Sequence, residues 1–95
     1  MVEVKKLVWD EFNVEHIGRH GVTKDEVEEI CISEYVTLET YKFRIMLFGK
    51  TRAGRTITVV LALKSESVYY PVTARLSSRK ERQYYQQQRG GENVA

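Results

Sequence analysis

Arginine is the residue type whose spacing in this 95-residue chain most directly suggests chemistry. Arg75 ends an alternating apolar segment, and Arg79 and Arg82 follow at intervals that group them on one side of a helix. Three guanidinium groups beside the free amides of a helix N-terminus can hold phosphate oxygens through charge-assisted hydrogen bonds. They can equally be solvated helix charges, some of them paired with Glu81, and their positions alone leave both interpretations open.

Further cations lie in a stretch without any Asp or Glu, between residues 41 and 65: Lys42, Arg44, Lys50, Arg52, Arg55 and Lys64. Residues 1–41 hold four Lys or Arg against ten Asp or Glu, a net charge of −6, whereas residues 42–95 hold eleven against three, a net charge of +8. A cationic surface without carboxylates releases counterions from a polyanion, so nucleic-acid backbone is the first partner that this split indicates.

Two histidines and one cysteine are the other reactive side chains. His16 and His20 are four residues apart, which places both imidazoles on one helical face and suits either a metal or an acid–base pair. No third ligand stands out, and His20 is explained as a cation near a helix C-terminus, so the structural interpretation is favoured. Cys31 lies on an apolar helical stripe without a cation to lower its pKa, and it is assigned to the core.

Several function classes lack support. The chain has no glycine-rich phosphate loop, CxxC pair, GxSxG turn or EF-hand loop, so we expect neither a cofactor nor a metal. No apolar run suits a signal peptide or a membrane span, and the single cysteine cannot form an internal disulfide, so we expect a cytoplasmic protein without a membrane partner. Four tyrosines could stack on unpaired bases, although half of them are expected to pack helix against sheet: Tyr69, Tyr70, Tyr84 and Tyr85.

Capping signals predict two N-terminal helices and one C-terminal helix. Asp10 is a suitable N-cap for a helix over residues 11–19. The S/T-x-x-E capping boxes that begin at Thr23 and Ser78 predict the starts of the second and third helices. A Gly-Gly pair is expected to end the third helix near Gln88.

After the second helix the hydrophobic period becomes alternating. It predicts four antiparallel strands, over residues 36–43, 44–50, 56–64 and 68–75, and Pro71 predicts an edge or a bulge in the last of them. The residues before the first helix, Lys6 to Trp9, are expected to form only a short extended segment. The order predicts an α+β domain with its helices on one face of a four-stranded antiparallel sheet. Residues 1–89 would form this single domain, and residues 90–95 a disordered tail.

The motifs resemble those of the BrnT toxins of the RelE/ParE superfamily over nearly the whole chain, from about Leu7 to Tyr85. The matching residues are, in order, Trp9-Asp10-Glu11 with Asn13, His16-Ile17-x-Arg19-His20-Gly21-Val22, Glu26 with Val27, Arg44, Gly49-Lys50-Thr51, Gly54-Arg55, Thr73-Ala74-Arg75 and Arg79-Lys80-Glu81-Arg82-x-Tyr84-Tyr85. The chain departs from the family at Ser65-Glu66-Ser67, where members often carry basic residues, and in the short loop after its second helix.

The resemblance implies a RelE-like fold and the toxin of a type II toxin–antitoxin system, an endoribonuclease that cleaves RNA without a metal. In such enzymes a ribose 2′-hydroxyl attacks the adjacent phosphate while Arg, Lys, Tyr or His side chains move protons and stabilise charge. The implied partners are RNA and a DNA-binding antitoxin, usually of the ribbon-helix-helix class, with a possible dimer or heterotetramer.

Carried over by motif, four arginines are the catalytic candidates: Arg44, Arg55, Arg75 and Arg79. Five residues are candidates for RNA binding: Lys50, Arg52, Lys64, Arg82 and Tyr85. His20 is a secondary candidate, and no metal ligand is expected. Because the transition state carries more charge than the substrate, one such donor lowers the barrier by about 3 kcal/mol. The alternatives are an inactive module of the same fold that binds RNA or an antitoxin, and a ParE-like action on DNA gyrase.

Overall fold

The computed structural model describes residues 3–40 and 42–93, the last four of them (90–93) as backbone. Three helices and five strands follow one another as β1 (Lys6–Leu7), α1 (Glu11–Arg19), α2 (Lys24–Ile32), β2 (Val36–Glu39), β3 (Arg44–Lys50), β4 (Thr56–Ser65), β5 (Val68–Leu76) and α3 (Arg79–Asn93). The predicted α+β class is confirmed. No helix in the described ranges is both long and apolar enough for a membrane crossing.

The sheet has five strands in the order β1-β5-β4-β3-β2, so the prediction of four strands was wrong. The four long strands are antiparallel to their neighbours, but β1 joins the edge parallel to β5, with Lys6 opposite Val68 and Leu7 opposite Tyr69. A strand of two residues has no alternation that a sequence pattern could reveal. The sheet is therefore mixed rather than purely antiparallel.

The end of β2 differs from its predicted position, and the predicted irregularity in β5 takes the form of a bulge. β2 ends at Glu39 instead of residue 43, because Lys42 and Phe43 adopt left-handed backbone with φ of 50° and 63°. The predicted irregularity at Pro71 is present as a bulge, since Val60 pairs with Thr73 while the next residue, Leu61, pairs with Pro71.

The predicted helix starts are confirmed. The Asp10 carboxylate accepts from the Asn13 backbone N–H at 2.9 Å, and the Asn13 side chain accepts from the Asp10 N–H at 2.9 Å. The box of Thr23 and Glu26 forms in both directions before α2, and Ser78 caps α3. Such contacts span three residues, which is why the sequence reveals them.

The third helix ends later than predicted, at Asn93 rather than near Gln88. Glycine inside a helix costs only about 1 kcal/mol relative to alanine, so a Gly-Gly pair does not have to end one. The final two residues, 94 and 95, lie outside the described residues, and the predicted boundary between a domain of residues 1–89 and a tail of residues 90–95 stays a prediction.

The helices pack on both faces of the sheet, which corrects the prediction that all three share one. The core joins α1 and α2 to one face through Ile17, Val22, Val27, Ile30, Leu47, Ile57, Val59, Leu61 and Ala74. On the opposite face the Phe48 ring meets Tyr84 of α3, with their centroids 5.4 Å apart. We call the part of this second face that α3 leaves uncovered the open face. Its outward side chains are Arg44, Met46, Val60, Ala62, Lys64, Tyr70, Thr73 and Arg75.

Candidate functional site

The register of β3, β4 and β5 arranges the second face of the sheet in three cross-strand rows: Arg44–Ala62–Tyr70, Met46–Val60–Thr73 and Phe48–Thr58–Arg75. Successive rows are two residues apart along a strand, or about 7 Å. Arg44 and Arg75 therefore lie on the same face but about 13 Å apart along the strand direction. α3 begins beside the third row, because Glu81 contacts both Thr58 and Arg75.

Arg75 is held by a bidentate ion pair with Glu81. Its two terminal nitrogens donate to the two carboxylate oxygens, the second at 2.7 Å. The Arg75 hydrogen bonds are the main reason that the pKa of Glu81 is lowered from 4.5 to about 2, and the same contact raises the pKa of Arg75. Glu81 also accepts from the Thr58 hydroxyl at 3.1 Å and from the Ser78 N–H at 2.8 Å. The guanidinium is thus fixed in position with its charge compensated, and its remaining N–H groups bond to no other described residue.

Two more predicted cations, Arg79 and Arg82, follow Arg75 in the first turn of α3. Arg79 is exposed, and its side chain forms no hydrogen bond or ion pair with any other described residue. Arg82 donates to the Ser77 carbonyl oxygen at 2.8 Å, and Tyr85 is half-buried on the same helix. The grouping of these arginines stays a prediction, and neither Arg79 nor Arg82 forms an ion pair with another described residue.

Arg55 lies apart from the open face, on the side of α1 and α2. Its guanidinium pairs with the Glu26 carboxylate at 2.8 Å and donates to the Gly21 carbonyl oxygen at 2.7 Å. These bonds tie the β3–β4 hairpin to the turn between the two helices. Lys50 and Arg52 belong to the same hairpin, where both are exposed and the Arg52 N–H donates to the carboxylate of Glu29.

Lys64 and Tyr70 form the end of the open face that lies near Arg44. The Lys64 ammonium is 5.3 Å from the centroid of the Tyr70 ring, a cation–π contact. The Tyr70 hydroxyl donates to the Asp10 carboxylate at 2.9 Å, and desolvation together with this bond raises the pKa of Tyr70. The single hydroxyl proton of Tyr70 is therefore already donated to Asp10.

The two histidines border the open face along the edge of β5. His16 Nε2 lies 3.1 Å from the Thr73 hydroxyl oxygen, and the His16 and His20 ring centroids are 5.1 Å apart in an edge-to-face arrangement. The predicted shared helical face is confirmed, and His20 caps the C-terminus of α1. The i,i+4 spacing was the only signal of this cluster, because Thr73 is 57 residues from His16 in sequence.

His16 also lines a surface cavity of about 350 Å³ between α1 and β5, with Phe12, Asn13, Glu15, Arg19, Tyr70 and Val72. This cavity could not be read from the sequence, since it depends on how α1 lies against β5. Among the described residues, no group of three or more His, Cys, Asp or Glu is arranged to hold a metal ion.

Comparison with known proteins shows a likeness in the fold. No family model matches the chain, and no curated protein matches it in sequence. Among solved structures, the crystal structure of the Brucella abortus ribonuclease toxin BrnT matches with a TM-score of 0.63 and 21% sequence identity, covering 78% of this chain and 97% of that one. The BrnT-like fold that the motifs predicted is therefore confirmed.

Proposed function

We propose that this chain is the toxin of a type II toxin–antitoxin system and acts as a metal-independent endoribonuclease in the cytoplasm. The observation that carries the proposal is a cationic open face on a fold shared with a ribonuclease toxin. That face presents Arg44, Lys64 and Arg75 from the sheet, and Arg79 stands at the adjoining helix start. Its cations suit the phosphodiester backbone of RNA.

The reaction needs little from the protein beyond position and charge. A ribose 2′-oxygen attacks the neighbouring phosphorus, the bond to the 5′-oxygen breaks, and the products carry a 2′,3′-cyclic phosphate and a 5′-hydroxyl. The phosphorane gains charge relative to the substrate, so cations fixed in advance stabilise it more than the ground state. We assign this role to Arg79 and to the free N–H groups of Arg75.

The other predicted residues receive different roles. Arg44 and Lys64, at the far end of the open face, would hold flanking phosphates, about 13 Å along the strands from Arg75. Arg55 was a catalytic candidate by motif, but its bonds to Glu26 and Gly21 favour a structural role in holding the hairpin.

An antitoxin would inhibit the protein by covering the open face. Acidic segments complement its cations, and charge complementarity favours rapid and selective pairing. A DNA-binding antitoxin, of the ribbon-helix-helix class by resemblance, would do this within a heterodimer or heterotetramer. A small neighbouring reading frame that encodes such a protein would support the pairing.

Single-residue variants test the assignment. In EDTA, Arg79→Ala should slow cleavage of single-stranded RNA about 100-fold, as expected for loss of one donor worth about 3 kcal/mol. Lys24→Ala removes a positive charge from the helix-covered side and should keep the wild-type rate within twofold. Full activity of Arg79→Ala would refute this site.

One observation favours a second candidate, a binding module without catalysis. Two of the four arginines that the motifs suggested are already neutralised, Arg75 by Glu81 and Arg55 by Glu26. Such a module would bind RNA or an acidic antitoxin segment with steep salt dependence. For RNA, each phosphate contact removed should reduce the slope of log binding constant against log salt concentration by about 0.7. It would yield no product at any protein concentration.

A further inference from the structure

The cavity between α1 and β5 contains a reactive side chain that the proposed mechanism does not yet use. His16 stands on its wall, and the cavity borders the open face at Thr73, two residues before Arg75 in β5. Residues two apart on a strand lie about 7 Å from each other on the same face. A phosphate bound at Arg75 would therefore lie about one nucleotide's length from the His16 imidazole.

The Thr73 hydroxyl shows that an oxygen can approach this imidazole closely. Its distance of 3.1 Å from His16 Nε2 lies within the range of about 2.6–3.2 Å that a general base needs from the oxygen it deprotonates. The hydroxyl also fixes the ring against β5, so the imidazole is oriented before a substrate arrives. Groups that face His16 are Glu15 and Arg19 on its own helix, paired at 2.7 Å, and Tyr70 across the cavity.

The histidine pair does not provide a base and an acid on opposite sides of a phosphate. The His16 and His20 rings touch, with centroids 5.1 Å apart, so no phosphate fits between them. Only His16 lines the cavity, and the edge-to-face contact makes His20 a support for its ring. One proton transfer is therefore assigned to this pair.

A flat exposed side chain at the cavity offers a place for a base. Phe12 is 83% exposed and lines the cavity beside His16. An exposed aromatic ring is unfavourable in water, but stacking against an unpaired base contributes about 1–3 kcal/mol. This favours single-stranded RNA whose base leaves its own stack at the cleavage point.

We propose that His16 is the general base of the ribonuclease reaction, and that the α1–β5 cavity receives the attacking ribose with its base stacked on Phe12. The inference rests on the proposed function. A ring nitrogen of His16 takes the proton of the 2′-hydroxyl as the 2′-oxygen forms its bond to phosphorus. The bond from phosphorus to the 5′-oxygen breaks, and that oxygen takes a proton from water.

The first test is single-turnover cleavage by His16→Asn, whose amide can still bond to Thr73. We expect a loss of at least 100-fold, within the range for general base catalysis. The affinity for a 2′-O-methyl RNA, which cannot react, should remain within twofold of the wild-type value. His20→Asn is the matched variant on the same helix and should lose less than tenfold.

Two further measurements distinguish chemistry from folding. Added imidazole should partly restore cleavage by His16→Ala, which a merely misfolded variant would not show. In a substrate with sulfur in place of the 5′-oxygen, the sulfur leaves without needing a proton from an acid. If His16 is the base, cleavage of this substrate by His16→Asn should therefore remain slow. Recovery on that substrate would make His16 the acid and overturn the assignment as base.

The failure of this inference is distinguishable from that of the proposed function. If the wild type cleaves RNA while His16→Asn cleaves within threefold of it, the assignment of His16 is wrong and the ribonuclease proposal stands. If the wild type binds RNA but cleaves none, both are wrong.

Discussion

Replacing Glu81 with glutamine should destabilise the protein at neutral pH but not near pH 2. The pKa of Glu81 is lowered from 4.5 to about 2 in the folded protein, chiefly by its bonds to Arg75. Since one pKa unit corresponds to 1.36 kcal/mol, this shift would contribute about 3 kcal/mol to the free energy of unfolding at neutral pH. The Arg75 side chain is 42% exposed, so solvent screening reduces the expected loss to about 1–2 kcal/mol.

The pH dependence has a definite sign. Because the folded-state pKa is lower than the unfolded one, the stabilisation is complete above pH 4.5 and is lost as the pH falls towards 2. Urea unfolding followed by Trp9 fluorescence, at pH 7, 5, 3 and 2, measures the difference between Glu81→Gln and the wild type. That difference should be largest at pH 7 and vanish near pH 2.

An exposed ion pair provides the matched control. Glu15 pairs with Arg19 at 2.7 Å, but the side chains are 68% and 71% exposed. Glu15→Gln should therefore cost no more than about 0.5 kcal/mol at any pH. A loss for Glu81→Gln that equals this control, or that stays constant from pH 7 to pH 2, would refute the reasoning about the partly buried pair of Arg75 and Glu81.

Two other predictions concern packing and reactivity. Gly49→Ala should lower the free energy of unfolding in urea by about 1–3 kcal/mol, because its new Cβ would lie 2.6 Å from Ile30 Cγ2. Gly18→Ala is the control in α1: its Cβ meets nothing within 4 Å, so it should raise that free energy by about 0.5–1 kcal/mol. Equal effects of the two would contradict the close packing at Gly49. Burial, with a smaller effect of Glu28, raises the pKa of the Cys31 thiol to about 12, so iodoacetamide should modify it slowly in the native protein and rapidly in urea. Rapid modification of native protein would show that the thiol is accessible.

The parts of the fold that the sequence predicts are those set by nearby residues. Asp10, Thr23 and Ser78 cap helices through contacts three residues away, and strand alternation follows from which face is buried. The pairing of Arg75 with Glu81 was open as an alternative because the two are six residues apart.

The features that the sequence misses depend on distant contacts. β1 is too short to show a pattern, and its partner strand begins 62 residues later at Val68. α3 carries few apolar side chains, so its sequence does not indicate which face of the sheet it covers. Arg55 resembles a catalytic cation by motif, but its carboxylate partner Glu26 is 29 residues away and only the fold brings them together.

The central claim is that the open face binds RNA and promotes attack by its own 2′-hydroxyl. The most direct measurement is end-group analysis of single-stranded RNA incubated with purified protein in EDTA, with and without ribosomes. We predict fragments with a 2′,3′-cyclic phosphate and a 5′-hydroxyl, and no cleavage of 2′-O-methyl RNA. RNA that stays intact while bound, or cleavage that persists in the 2′-O-methyl strand, would contradict the claim.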